Sequence, residues 1–302
     1  MSGCASRGER QDVQQPTAAV SSPSPPQNAD AVARPTTPAS PAPDPALPQE
    51  TACAQLRCTS YPTAAAALLA ALTDDVSVVG FGEAHAPSSF SGRTTAQRFA
   101  EDLLPTLAPR SRRLVVELLA PPSGCEKPRQ AVQAESNAIT EGQAEQNQDD
   151  YLALGHTARK LGIVPDILRP SCAEMRAIAA AEVRVLAIME TIATLSLTAT
   201  ERFLAEPKTE RPLVLLYGGA LHNDIAPREH LETWSYGPRL SAHTEGRYVE
   251  VDLVVPELMQ DTESWQKFLW YDAARSLPED HGATLVHVSE RSFALVFPRS
   301  PG

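Results

Sequence analysis

Four residues of this 302-residue chain stand where chemistry is usually done. Gly82-Glu83-Ala84-His85 follows one apolar run, Glu117 sits within or just after a second, and Gly219-Ala220-Leu221-His222-Asn223 follows a third. Each time, acid or imidazole meets the end of an apolar stretch with little polar spacer. Glycine before two of these groups lets the backbone turn sharply and approach a ligand closely. Two imidazoles and two carboxylates in one pocket serve hydrolysis in either of two ways. His85, His222 and Glu117 can ligate a divalent ion, which lowers the pKa of bound water until hydroxide forms near neutral pH. That mixed donor set admits zinc, manganese, cobalt or iron. Without a metal, the two imidazoles serve as general base and oxyanion partner, while Glu83 or Glu117 orients a water or takes its proton. Asn223 is a candidate donor to a developing oxyanion. The plainer alternative is structural: a lone histidine beside a sheet is commonly a packing residue, and Glu83 also suits the start of a helix. Glu117 resists that alternative, because a carboxylate on an apolar strand is costly to bury unpaired.

The positioning elements follow from periodicity. Residues 76–81 read as a buried strand, 113–118, 212–217 and 248–255 as further strands, and 162–168 as a weaker one. Helical spacing marks 62–72, 94–107, 150–161, 173–204 (as two helices broken near Leu197), 227–234 and 264–275. The polar stretch 123–148 is either a loose helix or a lid over the strand ends. Residues 284–288 and 293–297 form a closing C-terminal hairpin. Strands alternating with helices imply an α/β fold, a mostly parallel sheet with helices on both faces. In such a sheet ligands bind at the carboxyl ends of strands, where the four residues fall.

Several function classes are disfavoured. Net charge is −11 with no basic stripe, a poor match to nucleic acid. No Gly-x-Ser-x-Gly elbow and no phosphate-binding glycine loop is present. His156, His230, His243, His281 and His287 lie in polar or hairpin contexts without a matching partner. Trp234, Trp265, Trp270 and Tyr271 fall in helical stretches and read as core or interface.

Residues 1–50 hold 10 of the 27 prolines and no aromatic residue, the composition of an extended tether. A single domain spans 51–302. Met1-Ser2-Gly3-Cys4 resembles the tail of a lipobox without its basic and hydrophobic leader, as a late-assigned start or a cropped chain would leave it. Setting Cys4 aside leaves Cys53, Cys58, Cys125 and Cys172, an even number suited to an oxidising compartment. A local Cys53–Cys58 bridge would leave Cys125 to Cys172, but three pairings are open, as are four free thiols.

Gly82-x-x-His85, Glu117 on a Val-Val-Glu strand and Gly219-x-x-His222 together resemble the superfamily of ChaN-like lipoproteins, TraB/Tiki proteins and erythromycin-esterase-like enzymes, over roughly 75–225. Gly82-Glu83-Ala84-His85 is close to the Gly-Glu-x-His of the ChaN branch. The resemblance implies a metal-dependent protease in the Tiki branch, ester or lactone hydrolysis by a Glu/His pair in the esterase branch, and haem binding in the ChaN branch. This chain lacks the further histidine that the ChaN branch carries, since 86–91 contains none. The superfamily also uses an arginine; Arg169 and Arg176, after the third strand, are the candidates here, with ordinary ion pairs as the alternative for both. The expectation is an extracytoplasmic lipoprotein of the periplasm or outer membrane. It touches a membrane only through a lipid on Cys4 and acts as a metal-dependent hydrolase on a small-molecule or peptide ligand. The alternatives are a non-catalytic haem or iron binder and a degenerate scaffold.

Overall fold

The computed structural model describes residues 48–140, 143, 146–207 and 209–300, all within one compact unit, Pro45–Gly302. The expected lipobox and all but the last residues of the expected tether lie outside the described residues.

Among the described residues nine strands form one sheet: β1 Gln49–Cys53, β2 Leu56–Tyr61, β3 Val78–Glu83, β4 Ser111–Leu119, β5 Val164–Leu168, β6 Leu213–Gly219, β7 Tyr248–Val254, β8 Ala283–His287 and β9 Ser292–Val296. Their order is β1-β2-β8-β9-β7-β3-β6-β4-β5. From β9 to β5 every neighbouring pair is parallel; β8, β2 and β1 are joined antiparallel. The α/β sheet expected from the alternating pattern is therefore present. Its inner strands carry β-branched residues on both faces because both faces are covered.

One face receives α1 Ala64–Ala71, the helix running from α2 Thr95–Arg98 through a π-helical turn Phe99–Leu103 into α3 Leu104–Leu107, and α5 Gln146–Lys160. The other receives α6 Cys172–Ala180, α7 Arg184–Leu204 and α8 Gly237–His243, with α4 Glu126–Thr140 packed outside α6 and α7. The segment holding α9 Glu263–Gln266 and α10 Tyr271–Arg275 covers the rest of that second face, against Val254, Val286, Ala294 and Val296.

Four sequence expectations change. The C-terminal hairpin exists as β8–β9, but it lies inside the sheet; the edge is formed by an N-terminal hairpin, β1–β2. That hairpin was invisible because it is short and mostly polar, and its turn rests on Ala54 in the left-handed region (φ 48°) rather than on glycine. The long helix over 173–204 breaks at residues 181–183, not near Leu197. No glycine or proline marks either place, and α7 runs on through Leu197 with the hydroxyls of Thr198 and Thr200 bonded back to the carbonyls of Thr194 and Ser196. Residues 227–234 make only a 3₁₀ turn, Glu232–Trp234, because His230 takes φ 72°. Residues 264–275 split around Trp270, whose indole N–H is drawn to Asp252 at 2.7 Å.

The cysteines pair as Cys53–Cys58 and Cys125–Cys172. The first closes the β1–β2 hairpin. The second ties the start of α4 to the start of α6, so the stretch read as loose helix or lid holds, among its described residues, a helix with a covalently fixed entry. No helix among the described residues is long and apolar enough to cross a membrane.

Candidate active site

The chain leaves β3 toward the face of α2 and leaves β6 toward the face of α8. Where adjacent parallel strands diverge like this, their carboxyl ends open a crevice. Glu83 and His85 enter it from β3, His222 from the loop after β6, and Glu117 from β4.

The β3–β6 register sets Glu83 beside Gly219 and Gly82 beside Gly218. Glu83 Oε1 accepts from His85 Nδ1 at 3.0 Å and from the Tyr151 hydroxyl at 2.9 Å; Oε2 accepts from the Tyr217 hydroxyl. Tyr151 is held because its neighbour Asp150, near the start of α5, accepts from Thr94 Oγ1 and Gln97 Nε2, which belong to the capping turn of α2. Tyr217 packs on Phe99, ring centroids 4.8 Å apart, in the π-helical turn. Burial, then the charge of Glu83, lifts both phenols well above the ordinary tyrosine value, so they remain donors. A carboxylate so clamped fixes the His85 ring: Nδ1 carries its proton toward Glu83, and Nε2 is left free.

On the other side of the crevice, Glu117 Oε2 accepts from the Gly219 backbone N–H at 2.7 Å. Its Oε1 lies 3.5 Å from His222 Nε2. His222 Nδ1 is 2.7 Å from the carbonyl oxygen of Trp234, which can only accept, so Nδ1 is protonated. Nε2 therefore points a lone pair at a carboxylate unless a positive charge comes between. Burial opposes charge on His222, but Glu117 and the Trp234 carbonyl outweigh it and raise the imidazole above its ordinary value. Burial likewise opposes charge on Glu117, and His222 with help from His85 holds it below the usual range. Both point to an imidazolium–carboxylate pair.

The two pairs meet over Gly219. A β-carbon built there would lie 3.7 Å from Glu117 Oε2, 3.7 Å from His222 Cδ2 and 3.9 Å from His85 Nε2. Solvent reaches the cluster unevenly: the side chains of His85 and Glu117 are 28% and 15% exposed, those of Glu83 and His222 only 3% and 2%. His85 is the accessible imidazole. Burial lowers its basicity, but the hydrogen bond and charge of Glu83 prevail and raise it above the ordinary value.

The four residues singled out by spacing are thus brought together. Asn223 and Arg169 are not. Asn223 turns away from the crevice: its Nδ2 donates to Asp252 Oδ1 at 3.0 Å and toward the Gly80 carbonyl at 3.4 Å. Its neighbour His222 takes the crevice-facing place. Arg169 lies beyond β5, exposed, bound to Asp166 and to the Ile167 carbonyl. Asp166 also holds Arg202, so this is a surface ion-pair network. Tyr151, Tyr217 and the Trp234 carbonyl were missed. Only Tyr217 had a readable signal, since strand alternation puts it on the same face as residue 219.

The donor set His85, His222 and Glu117 is chemically suited to a divalent ion. As placed, however, no group of three or more His, Cys, Asp or Glu side chains among the described residues is arranged to hold one.

No family model matches this chain, and no curated protein matches it. Among solved structures, one of a succinoglycan biosynthesis protein aligns at 12% identity and a TM-score of 0.20, covering 43% of this chain and 29% of that one. An overlap of that quality carries no argument about fold or activity.

Proposed function

We propose that the strand-end cluster is a hydrolytic centre for a peptide or ester bond, on an extracytoplasmic lipoprotein similar to the ChaN, Tiki and erythromycin-esterase-like superfamily. The carrying observation is that the two imidazoles are committed oppositely. His85, with Nδ1 bound to Glu83 and Nε2 free, is set to take a proton from water. His222, with Nδ1 bound to a carbonyl and Nε2 against Glu117, is set to hold one and to stabilise an oxyanion or protonate the leaving group. Water then loses its proton to His85 as its oxygen bonds the carbonyl carbon, and the leaving group departs with the proton from His222. Two disulfides support an oxidising compartment.

A metal-dependent form of the same reading has one observation behind it: the facing acceptors His222 Nε2 and Glu117 Oε1, between which a cation serves as well as a proton. His85 Nε2 would complete that donor set after a side-chain movement. A bound divalent ion would supply an activated water.

The test is hydrolysis of p-nitrophenyl esters and fluorogenic peptides by the full chain, with elemental analysis and an absorption spectrum of the same preparation. Turnover lost in both His85→Ala and His222→Ala is expected. Turnover without stoichiometric metal selects the imidazole-only form; metal lost in the variants selects the other. A Soret band without turnover, or equal turnover in the variants, overturns the proposal.

A further inference from the structure

On the side of β3 away from Glu117, the sheet continues into β7. After Val254 the chain makes a 3₁₀ turn, Pro256–Leu258, in which the Leu258 N–H donates to the Val255 carbonyl at 2.9 Å. Residues 263–271 then advance in short turns: the Phe268 N–H donates to the Trp265 carbonyl and the Tyr271 N–H to the Phe268 carbonyl, each at 3.0 Å. These turns gather three aromatic rings. Phe268 stacks on Trp270 with centroids 5.0 Å apart, and Trp265 meets Phe268 and Trp270 edge-on at 6.2 and 6.1 Å. Trp270 is buried and pinned by its bond to Asp252, while Trp265 and Phe268 are half-buried.

Between these rings and the strand ends lies a pit of about 10 Å³. Glu83 and Ala84 border it from β3, Ala220 from the turn after β6, and Leu253 and Leu258 from β7 and the turn behind it. Gly82 belongs to the same wall; a β-carbon there would lie 2.7 Å from Ala220 Cα, so β3 and the turn after β6 close directly on each other. Ala84 immediately precedes His85, and Ala220 immediately follows Gly219, over which the two acid–imidazole pairs meet. Pit and crevice therefore share Glu83 and adjoin along both imidazole-bearing segments. The polar side chains at the pit are those of Glu83, Thr95 and Asp252. Both carboxylates are already bound, Glu83 by His85, Tyr151 and Tyr217, and Asp252 by Asn223 at 3.0 Å and Trp270 at 2.7 Å. Most of the remaining wall is alkyl and aromatic. Such a recess, with room for one group about the size of a water or a methyl, suits hydrocarbon better than water, which needs two to four polar partners.

We propose that this pit is the acyl subsite of the strand-end centre and takes a single methyl, so that the substrates are acetyl compounds, with Trp265 and Phe268 setting the limit on chain length. An acetyl carbonyl held over Gly219 has the pit beside it, past Ala220. Water that gives a proton to His85 bonds the acetyl carbon, the bond to the alcohol oxygen breaks, and that oxygen leaves with the proton of His222, giving acetic acid and the free alcohol. A propyl chain in place of the methyl meets the rings of Trp265 and Phe268. The assignment of a reaction rests on the hydrolytic reading of the centre; the assignment of the pit to a methyl group rests on its size and lining.

The experiment compares p-nitrophenyl acetate with p-nitrophenyl butyrate as substrates of the full chain, and sodium acetate with sodium butyrate as ligands followed by tryptophan fluorescence, since two of the three tryptophans line the pit. The expected kcat/KM for the acetate ester is about tenfold or more above that for the butyrate ester. Two variants are expected to bring the ratio within about threefold by opposite routes: Trp265→Ala widens the pit and raises butyrate turnover, and Ala84→Val fills it and lowers acetate turnover. Saturable binding of acetate, about tenfold tighter than butyrate and lost in Ala84→Val, is expected alongside. Equal turnover of the two esters by the parent, or a preference unmoved in both variants, overturns the pit assignment and leaves the hydrolytic reading standing. No turnover of either ester together with selective acetate binding that Ala84→Val removes overturns the hydrolytic reading and supports the pit as an acetyl site. Neither turnover nor acetate binding overturns both.

Discussion

Gly218 and Glu117 occupy one space: a β-carbon on Gly218 would fall 2.1 Å from Glu117 Oε2 and 2.9 Å from Glu117 Cβ. Glu117 folds back over that glycine to reach the Gly219 N–H. The bare backbone at residue 218 is thus what lets a strand-borne carboxylate lie flat at the mouth of the crevice. Gly218→Ala forces either the strand or the carboxylate to move. The expected cost is about 1–3 kcal/mol, measured by urea unfolding, together with loss of the esterase or peptidase signal. Wild-type stability and activity in that variant would separate Glu117 from the site.

Tyr151 and Tyr217 hold Glu83 from two sides. Removing either hydroxyl as Phe leaves a buried carboxylate short of a donor, at an expected cost of about 1.5–3 kcal/mol each. Combined with Glu83→Gln, the Tyr217→Phe effect is expected to shrink, because the charge it served is gone. A double-mutant cycle by chemical denaturation measures this coupling.

The Glu117–His222 pair has a pH window with a defined sign. Glu117 titrates lower in the folded protein than its ordinary 4.5, so its contribution is present above 4.5 and is lost as pH falls through the folded value. His222 titrates higher than its ordinary 6.5, so its contribution is complete below 6.5 and is lost as pH rises through the folded value. The stability difference between the parent and His222→Gln is therefore expected to peak between these two values and to decline on both sides. A difference that grows steadily to alkaline pH would contradict the imidazolium assignment.

His85 also titrates above 6.5, and as general base it acts only when unprotonated. The acid limb of any hydrolytic rate profile is expected above pH 6.5. In Glu83→Gln the limb is expected to move down, since the group that raises the imidazole is removed.

The disulfides are expected to differ in worth. Cys125–Cys172 closes a separation of 47 residues and Cys53–Cys58 one of 5. Loop-closure entropy puts their contributions at about 4 and about 2 kcal/mol. Paired serine substitutions, compared by thermal and denaturant unfolding, check the ranking.

Much of this was legible in the sequence, for physical reasons. The inner strands β3, β6 and β7 are buried on both faces, so their apolar runs announced them. Glu83, His85, Glu117 and His222 were legible because polar groups directly at the ends of such runs have few other places to go. The partners of those groups were not. Tyr151 comes from a helix 68 residues beyond Glu83, and Trp234 contributes through its backbone, which carries no residue signature. Asn223 misled because a neighbour in sequence was read as a neighbour in space: one step along the loop turns the side chain from the crevice to Asp252. The β1–β2 hairpin lacked the hydrophobic alternation and glycine turn by which hairpins are recognised.

The placement of β2 against β8 bears on how the chain reaches its native state. Arg57 pairs with His287, 230 positions later, so the sheet near β2 cannot be completed until the last strands have been made. Contacts that distant slow folding, because a large loop must close before they repay its entropy. The Cys53–Cys58 link needs no such wait; it can form as soon as that hairpin meets an oxidant. A chain delivered amino end first would then carry a preformed, cross-linked β ribbon open at both edges until β8 arrives to cover the β2 side, and that interval is when pairing with a second chain competes most directly with folding.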